Sequence, residues 1–419
     1  MPKSKEVLHM PAFEDQCPVK GLEGLLEESF GEPLEVQHVN WRRLTEPGDN
    51  YGSLIISLDV EIGKNGNQET LHLVAKLPPC TQYLLDLFDS PVTFHKEIYL
   101  YRTLVPALIE LQLENGLPKD KVVPLVPQFY GGRMGLSNRE TFDTQAALIL
   151  ENLVTSGYST EERISGMDKA HLEFAVKRLA EMHALPIALK LKKPEVFKTA
   201  IAPAFVPPSN DTAAKCISGM ISNVHEDLRN MEEAKPLIGK IDRTLKFSYD
   251  KVDLAGKVEE PWGTLVHNDF WVNNMLFKHD HSGKIIDMKI VDFQLYVYDY
   301  GMKDLIFFLM SSGRNDIMEE NLDRLIDLYY ESFIGCLKSL KVDVQEFSKK
   351  LFIDCLNKCA PAKLAQCLMM TQVIQAERNK AADPQKMDEL NNFKATGQAY
   401  ERKLLDIVRI YDKRGWFVN

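Results

Sequence analysis

The residues with the most chemical content in this chain of 419 residues are His267, Asp269 and Asn274, in the run His267-Asn268-Asp269-Phe270-Trp271-Val272-Asn273-Asn274. H-x-D-x-x-x-x-N is the spacing of a kinase catalytic loop. Farther along, a β-rich run ends in Asp292-Phe293-Gln294, where kinases carry Asp-Phe-Gly. Phosphoryl transfer asks for little covalent help, so the chain must supply position and charge. Asp269 is expected to take the proton of the attacking hydroxyl. Asn274 and Asp292 bring oxygen donors and are expected to hold Mg2+ across the phosphates of ATP. The spacing lets one loop present base and metal ligand to one cavity, with His267 bracing that loop rather than reacting.

Two partners are expected upstream. Leu73-Val74-Ala75-Lys76-Leu77 offers the strand lysine that reaches the phosphates, and Phe94-His95-Lys96-Glu97 the helix glutamate that holds it. Alone, Lys76 reads as an edge-strand solubility charge and Glu97 as part of a solvated helix face; the downstream motifs turn the balance. Pro47 to Ser53 sits where a phosphate-covering loop belongs, with Asn50, Tyr51, Gly52 and Ser53 as candidate ATP contacts, although its two glycines also suit a plain hairpin turn. Leu150, Glu151 and Leu153 are candidate adenine-side residues at a hinge, on a stretch that otherwise reads as a buried strand.

These side chains need a sheet and a helical body to hold them. A short helix is predicted over 19–30 and strands near 35–44, 53–62, 69–77, 126–132 and 145–153, with a hairpin turn at 63–67. Apolar spacing predicts one helix from Val92 to about Leu113, with Pro106 a site for a kink. Helical periodicity then covers 168–185, 211–234, 301–312, 320–340 and 345–410, interrupted by a β-rich insert at 263–293. The fold class is α+β: a two-lobed protein-kinase-like fold, with a small, mostly antiparallel lobe over 1–152 and a larger helical lobe over 153–419, forming one catalytic unit.

Composition narrows the class further. The net charge of −10 argues against a general nucleic-acid binder. No apolar stretch is long enough for a membrane span, and the first residues lack a secretory core. Seven cysteines without paired metal spacing suit a reducing, cytoplasmic setting and small buried hydrophobes. His279-Asp280-His281 falls in a predicted turn and reads as solvated loop, not a metal site. No obligate protein partner is evident.

The runs Asn50 to Ser53, Leu73 to Pro79, Phe94 to Tyr101, Leu150 to Leu153, Leu179 to Ala184, His267 to Phe277 and Lys289 to Leu295 resemble the ecdysteroid-kinase-like family, which stands with choline kinases and aminoglycoside phosphotransferases. The resemblance implies ATP, Mg2+ and a small-molecule alcohol as acceptor, an ecdysteroid, another steroid alcohol or a xenobiotic. Asn268 replaces a usual glycine, Asn152 a usual aspartate and Gly52 a common alanine.

Other readings are weighed against these residues. Asp304 follows Asp292 by twelve positions and already opens a helix, and no Ala-Pro-Glu follows, so a protein kinase's activation segment has no room. Asp304 is expected to brace the catalytic loop. A pseudokinase binding module is the rival from another class, but Lys76, Asp269, Asn274 and Asp292 are all present. A choline- or ethanolamine-type kinase remains open, since Phe270, Trp271, Tyr296, Tyr298 and Tyr300 could wall an acceptor pocket, although plain packing is the commoner explanation for such aromatics.

Overall fold

One hairpin organises the sheet of the first lobe. β2 (Leu54–Lys64) turns into β3 (Asn67–Leu77) through Asn65 and Gly66, whose φ values are 51° and 80°. Two central residues with positive φ give the tight turn whose twist matches the flanking strands. The hairpin pairs in register from Lys64↔Asn67 to Leu54↔Leu77. β1 (Glu35–Arg43) flanks β2, and β5 (Ala147–Glu151) and β4 (Phe129–Arg133) continue beyond β3, giving the antiparallel order β1-β2-β3-β5-β4. The computed structural model describes residues 17–44, 52–206, 211–250, 258–376 and 395–418.

The run Ala147-Leu148-Ile149-Leu150 is apolar at every position because both of its faces are covered. Ala147 and Ile149 pack with Leu22, Leu25 and Leu26 of α1 (Leu22–Phe30), whereas Leu148 and Leu150 pack with Phe94 and Ile98 on the other side. Each such buried aliphatic side chain stabilises the fold by roughly 1.5–3 kcal/mol. Phe94 and Ile98 belong to α3 (Ser90–Tyr99), which follows the short α2 (Gln82–Leu87). The expected single helix over 92–113 is instead α3, a π-helical turn at Leu100–Leu104, and α4 (Val105–Glu114). Pro106 explains the widened turn: it has no N–H to donate, and its ring crowds the carbonyl four residues back, at Arg102 inside the π segment.

The second lobe begins with β6 (Tyr158–Ser159) and the long α5 (Lys169–Lys192), followed by one-turn α6 (Pro194–Val196), α7 (Asp211–Asn230) and α8 (Ile238–Asp250). The β-rich insert supplies β7 (Gly263–Val266), β8 (Met275–His279) and β9 (Ile285–Ile290), then a further strand, β10 (Val297–Tyr300). β8 pairs with β6 and β9, and β10 pairs antiparallel with β7. β10, β6 and α8 lie outside the elements expected from sequence. The helices α9 (Met302–Ser312), α10 (Asn315–Ser339), α11 (Lys349–Gln375) and α12 (Gln398–Arg414) complete the lobe. The periodic stretch 345–410 is thus two helices, and 377–394 lies outside the described residues. Among the described residues no helix is long and apolar enough to cross a membrane.

The expected lobe boundary after Asn152 falls between β5 and β6. The architecture is the two-lobed kinase-like one: an antiparallel sheet with α1 on one face and α3 on the other, joined to a helical body. Gly131 marks how closely α1 lies on the sheet. Its φ is +149°, and a Cβ there would stand 2.7 Å from the Leu25 carbonyl oxygen. Gly131→Ala is therefore expected to destabilise the protein by about 1–3 kcal/mol through overpacking. Urea unfolding reads this as a lower midpoint, and an unchanged midpoint would contradict the packing of α1 on β4.

Candidate active site

Lys76 sits on the inner strand β3, between Ile55 of β2 and Leu148 of β5. Strand alternation sends Ala75 toward α1 and Lys76 toward α3. Its ammonium is almost wholly buried and donates to Glu97 Oε2 and Asp292 Oδ1, each at 2.6 Å. Burial opposes the charge, but Asp292 and Glu97 outweigh it and hold the ammonium above its ordinary pKa. One side chain thereby joins β3, α3 and the segment after β9. Gln294 Oε1 stands 3.5 Å from the same nitrogen.

The catalytic-loop residues gather next to this group. Asn274 Nδ2 donates to Asp269 Oδ2 at 3.0 Å and to the Asp269 carbonyl at 2.8 Å. With its amide nitrogen so engaged, Asn274 could offer its oxygen to a cation, as Asp292 could offer its carboxylate. This all-oxygen donor set suits a hard divalent ion. Asp269 is half-buried: desolvation and the neighbouring Asp292 push its carboxyl up to about 7, against the opposing hydrogen bond from Asn274. His267 is fully buried, and burial lowers its pKa despite the nearby Asp304. Its Nδ1 receives the Asp269 N–H at 3.3 Å, so the neutral ring carries its proton on Nε2 and donates to the Val291 carbonyl at 3.0 Å.

Asp304, fully buried in the first turn of α9, receives the backbone N–H of His267 at 2.6 Å and of Asn268 at 2.9 Å. Burial works against its charge, but the His183 hydrogen bond, at 3.2 Å, and its charged surroundings keep the carboxyl below its ordinary value. Tyr329 holds the other His183 nitrogen at 2.7 Å. Between these anchors Asn268 adopts φ 67°, in the left-handed region that glycine and asparagine enter most readily. The residue that departs from the usual glycine thus keeps the backbone shape. Its side chain adds a contact, accepting from Lys363 at 2.9 Å, while Gln366 donates to its carbonyl at 2.7 Å. Asp292 also lies in the left-handed region, with φ 65°.

Of the remaining expected residues, Asn50 and Tyr51 lie outside the described residues. Gly52 is buried against Phe88 and Gln294; a Cβ on it would meet their side chains at 3.2 and 3.5 Å, and Ser53 beside it is buried. Leu150 and Leu153 are buried, and Glu151 holds Ser156 Oγ at 2.6 Å and the Gln128 N–H at 3.3 Å through its carboxylate. Among the described residues, the expected site residues fall into the ionic group around Lys76, Gly52 and Ser53 just before β2, and Leu150, Glu151 and Leu153 at the end of β5. Phe270, Tyr296 and Tyr300 are buried in the core, whereas Tyr298 and Trp271 are half-buried. Sequence reasoning missed Tyr329, Lys363 and Gln366, and gave no role to His183 or Gln294, which lie within the runs that carry the resemblance. Lys96 was missed as well: it is buried over the Tyr296 ring at 4.9 Å, its Nζ has no hydrogen-bond partner, and burial pushes it down to about 8.

The model of the ecdysteroid kinase-like family matches residues 47–342, a span that holds Lys76, Glu97, Asp269, Asn274, Asp292 and Asp304. The chain belongs to the ecdysteroid kinase-like family. That family is one of small-molecule kinases, and membership accounts for the two lobes and for the order of the motifs. No curated protein matches the chain. Among solved structures, a Plasmodium vivax ethanolamine kinase is similar at 10% identity over 90% of this chain and 83% of its own, with a TM-score of 0.44. A choline/ethanolamine kinase family protein from Mesorhizobium loti is similar at 10% identity over 90% and 91%, with a TM-score of 0.40.

The Lys76 group makes a prediction about this kinase-like chain that needs no substrate. Lys76→Met leaves two carboxylates facing each other without their cation. Breaking a buried pair costs about 3–5 kcal/mol, and the low end applies because Asp292 is part-exposed. The variant should lose about 3 kcal/mol at pH 7 and less at pH 5, where unpaired carboxylates take up protons. Denaturant unfolding at both pH values checks this; equal midpoints for variant and wild type would remove the ionic group from the fold's support.

Proposed function

We propose that this protein transfers the γ-phosphate of ATP to a hydroxyl of a small molecule, with an ecdysteroid, another steroid alcohol or a xenobiotic as the acceptor class. The observation that carries the reading is the convergence of Lys76, Glu97 and Asp292 beside the Asp269–Asn274 pair. Lys76 would meet the phosphates while Glu97 keeps its ammonium in place. Asp292 and Asn274 would hold Mg2+, which when bound offsets charge on the phosphates. Asp269 would orient the acceptor hydroxyl and take its proton, and a carboxyl near 7 is matched to that work at neutral pH. Asp304 and His267 act through the loop they hold, as positioning residues.

A choline-type acceptor would want free aromatic faces for a quaternary ammonium. The cluster of buried Phe197 with half-buried Phe205 and Tyr298 is already served by the chain's own cation: Lys190 Nζ lies 5.3 Å from the Tyr298 ring centre and also pairs with Glu260. A neutral alcohol is the better fit. A silent binding module is disfavoured by the full set of ionisable groups.

The test is purified protein with ATP, magnesium and a metabolite extract, read by mass spectrometry for a phosphorylated alcohol. Asp269→Asn should keep nucleotide affinity and lose about 10²–10⁴-fold in transfer. The wild-type kcat/KM should fall as pH drops below about 7, where Asp269 gains its proton, and the variant should lose that limb. With nucleotide and cation bound, the repulsion from Asp292 is offset, so the kcat limb should lie at lower pH. No phosphorylated product from any alcohol revives the binding module, and full transfer by Asp269→Asn places the base elsewhere.

A further inference from the structure

Away from the Lys76 group, the chain brings Glu161, His171 and His279 to one point. Glu161 lies just beyond β6, His171 in the first turn of α5 and His279 at the end of β8. His171 Nε2 is 3.1 Å from His279 Nε2 and 3.3 Å from Glu161 Oε1, and the three donor atoms all lie within 4.8 Å of one another. An ion with tetrahedral nitrogen and oxygen ligands at about 2.0–2.1 Å sets its ligands about 3.3 Å apart. Both short distances match that edge.

Hydrogen bonding identifies the nitrogen of His171 that is left over. Nδ1 is 2.9 Å from Asp168 Oδ1, the same oxygen that accepts the His171 backbone N–H as N-cap of α5. A carboxylate only accepts, so Nδ1 carries the proton, and Nε2 of the neutral ring presents a lone pair. That lone pair faces a second acceptor, the Glu161 carboxylate, and either a proton or a metal ion between the two makes the approach favourable. A carboxylate behind one ring nitrogen, with the other nitrogen open, is the arrangement that orients a metal-binding histidine. The Phe277 ring meets the imidazole edge-on at 4.9 Å between centroids and fixes its plane.

We propose that Glu161, His171 and His279 form a zinc site, with Asp168 orienting His171 and a fourth position left to water. Two imidazoles and one carboxylate suit a borderline ion such as Zn2+, whereas Mg2+ and Ca2+ take oxygen shells. His279 ends the strand that begins next to Asn274, so this site is distinct from the one assigned to the nucleotide's cation. It fastens the segment leaving the lobe junction to α5 and β8. The turn around His279, expected to be plain solvated loop, is thereby given a chemical role.

The test strips the full-length protein with a chelator and titrates it with Zn2+ alone against a chromophoric competitor. Bound metal is counted by elemental mass spectrometry, and Co2+ substitution gives a visible spectrum that reports tetrahedral ligands. One zinc per chain is expected. His171→Ala and His279→Ala should each weaken binding about a hundredfold or more, and Asp168→Asn, which still caps the helix, about tenfold. Melting of each variant in chelator, compared with stripped wild type, shows whether it is folded; where an alanine variant is not, Glu161→Gln gives the same reading. The seven cysteines can also take zinc, so zinc bound equally by wild type and His279→Ala overturns the proposal. A stripped wild type that takes up no zinc overturns it too, since a proton on His171 then holds the cluster together.

Discussion

The structure turns on one buried ammonium. Lys76 is the point where the sheet, α3 and the Asp292 segment of the helical lobe meet, and each of the three brings a group that could not be buried alone. A lone buried charge costs several kcal/mol, and here two carboxylates share one lysine. The requirement acts backward on the sequence. β3 must carry a lysine on its inner face, α3 must present Glu97 at its C-terminal end, and the chain after β9 must turn sharply enough to deliver Asp292. Its left-handed backbone makes that turn.

A second constraint holds the catalytic loop. Consecutive backbone N–H groups at His267 and Asn268 need an acceptor in the interior, and Asp304 supplies both oxygens from the start of α9. The loop geometry is therefore dictated from the helical lobe, through Asp304 and then through His183 and Tyr329. Asp269 inherits its environment from this arrangement. Half-buried beside a second carboxylate, it holds its proton to near neutrality, a property of neighbours rather than of the residue itself.

What the sequence disclosed followed the range of each signal. The hairpin at Asn65-Gly66, the doubly buried β5 and the motif residues were legible because each depends on local chemistry or on fixed spacing. Pro106 announced a disturbance in its helix, although not that a π turn would absorb it. Lys363 and Gln366 were invisible, since they reach Asn268 from α11 across 95 and 98 positions, and a lysine in an amphipathic helix ordinarily faces water. His183 lies in a run that carries the family resemblance, but its role was not legible there, because that role exists only once α5 meets α9. The aromatic run at 296–300 reads as core packing or as a pocket wall. It is in part a strand, β10, whose alternation and pairing with β7 no short window could show. His279 reads as loop from sequence because its partners, His171 and Glu161, come from distant segments.

Under the proposed function the Lys76–Asp292 contact is the resting form of a phosphate-transfer site, one that must open for the lysine to serve a nucleotide. A crystal structure of the protein with magnesium and a non-hydrolysable ATP analogue tests this most directly. The expected result is Lys76 still on Glu97, its other contact moved from Asp292 to the phosphates, and the cation on Asp292 and Asn274. A nucleotide bound elsewhere, or bound while Lys76 keeps its 2.6 Å contact with Asp292, would contradict it.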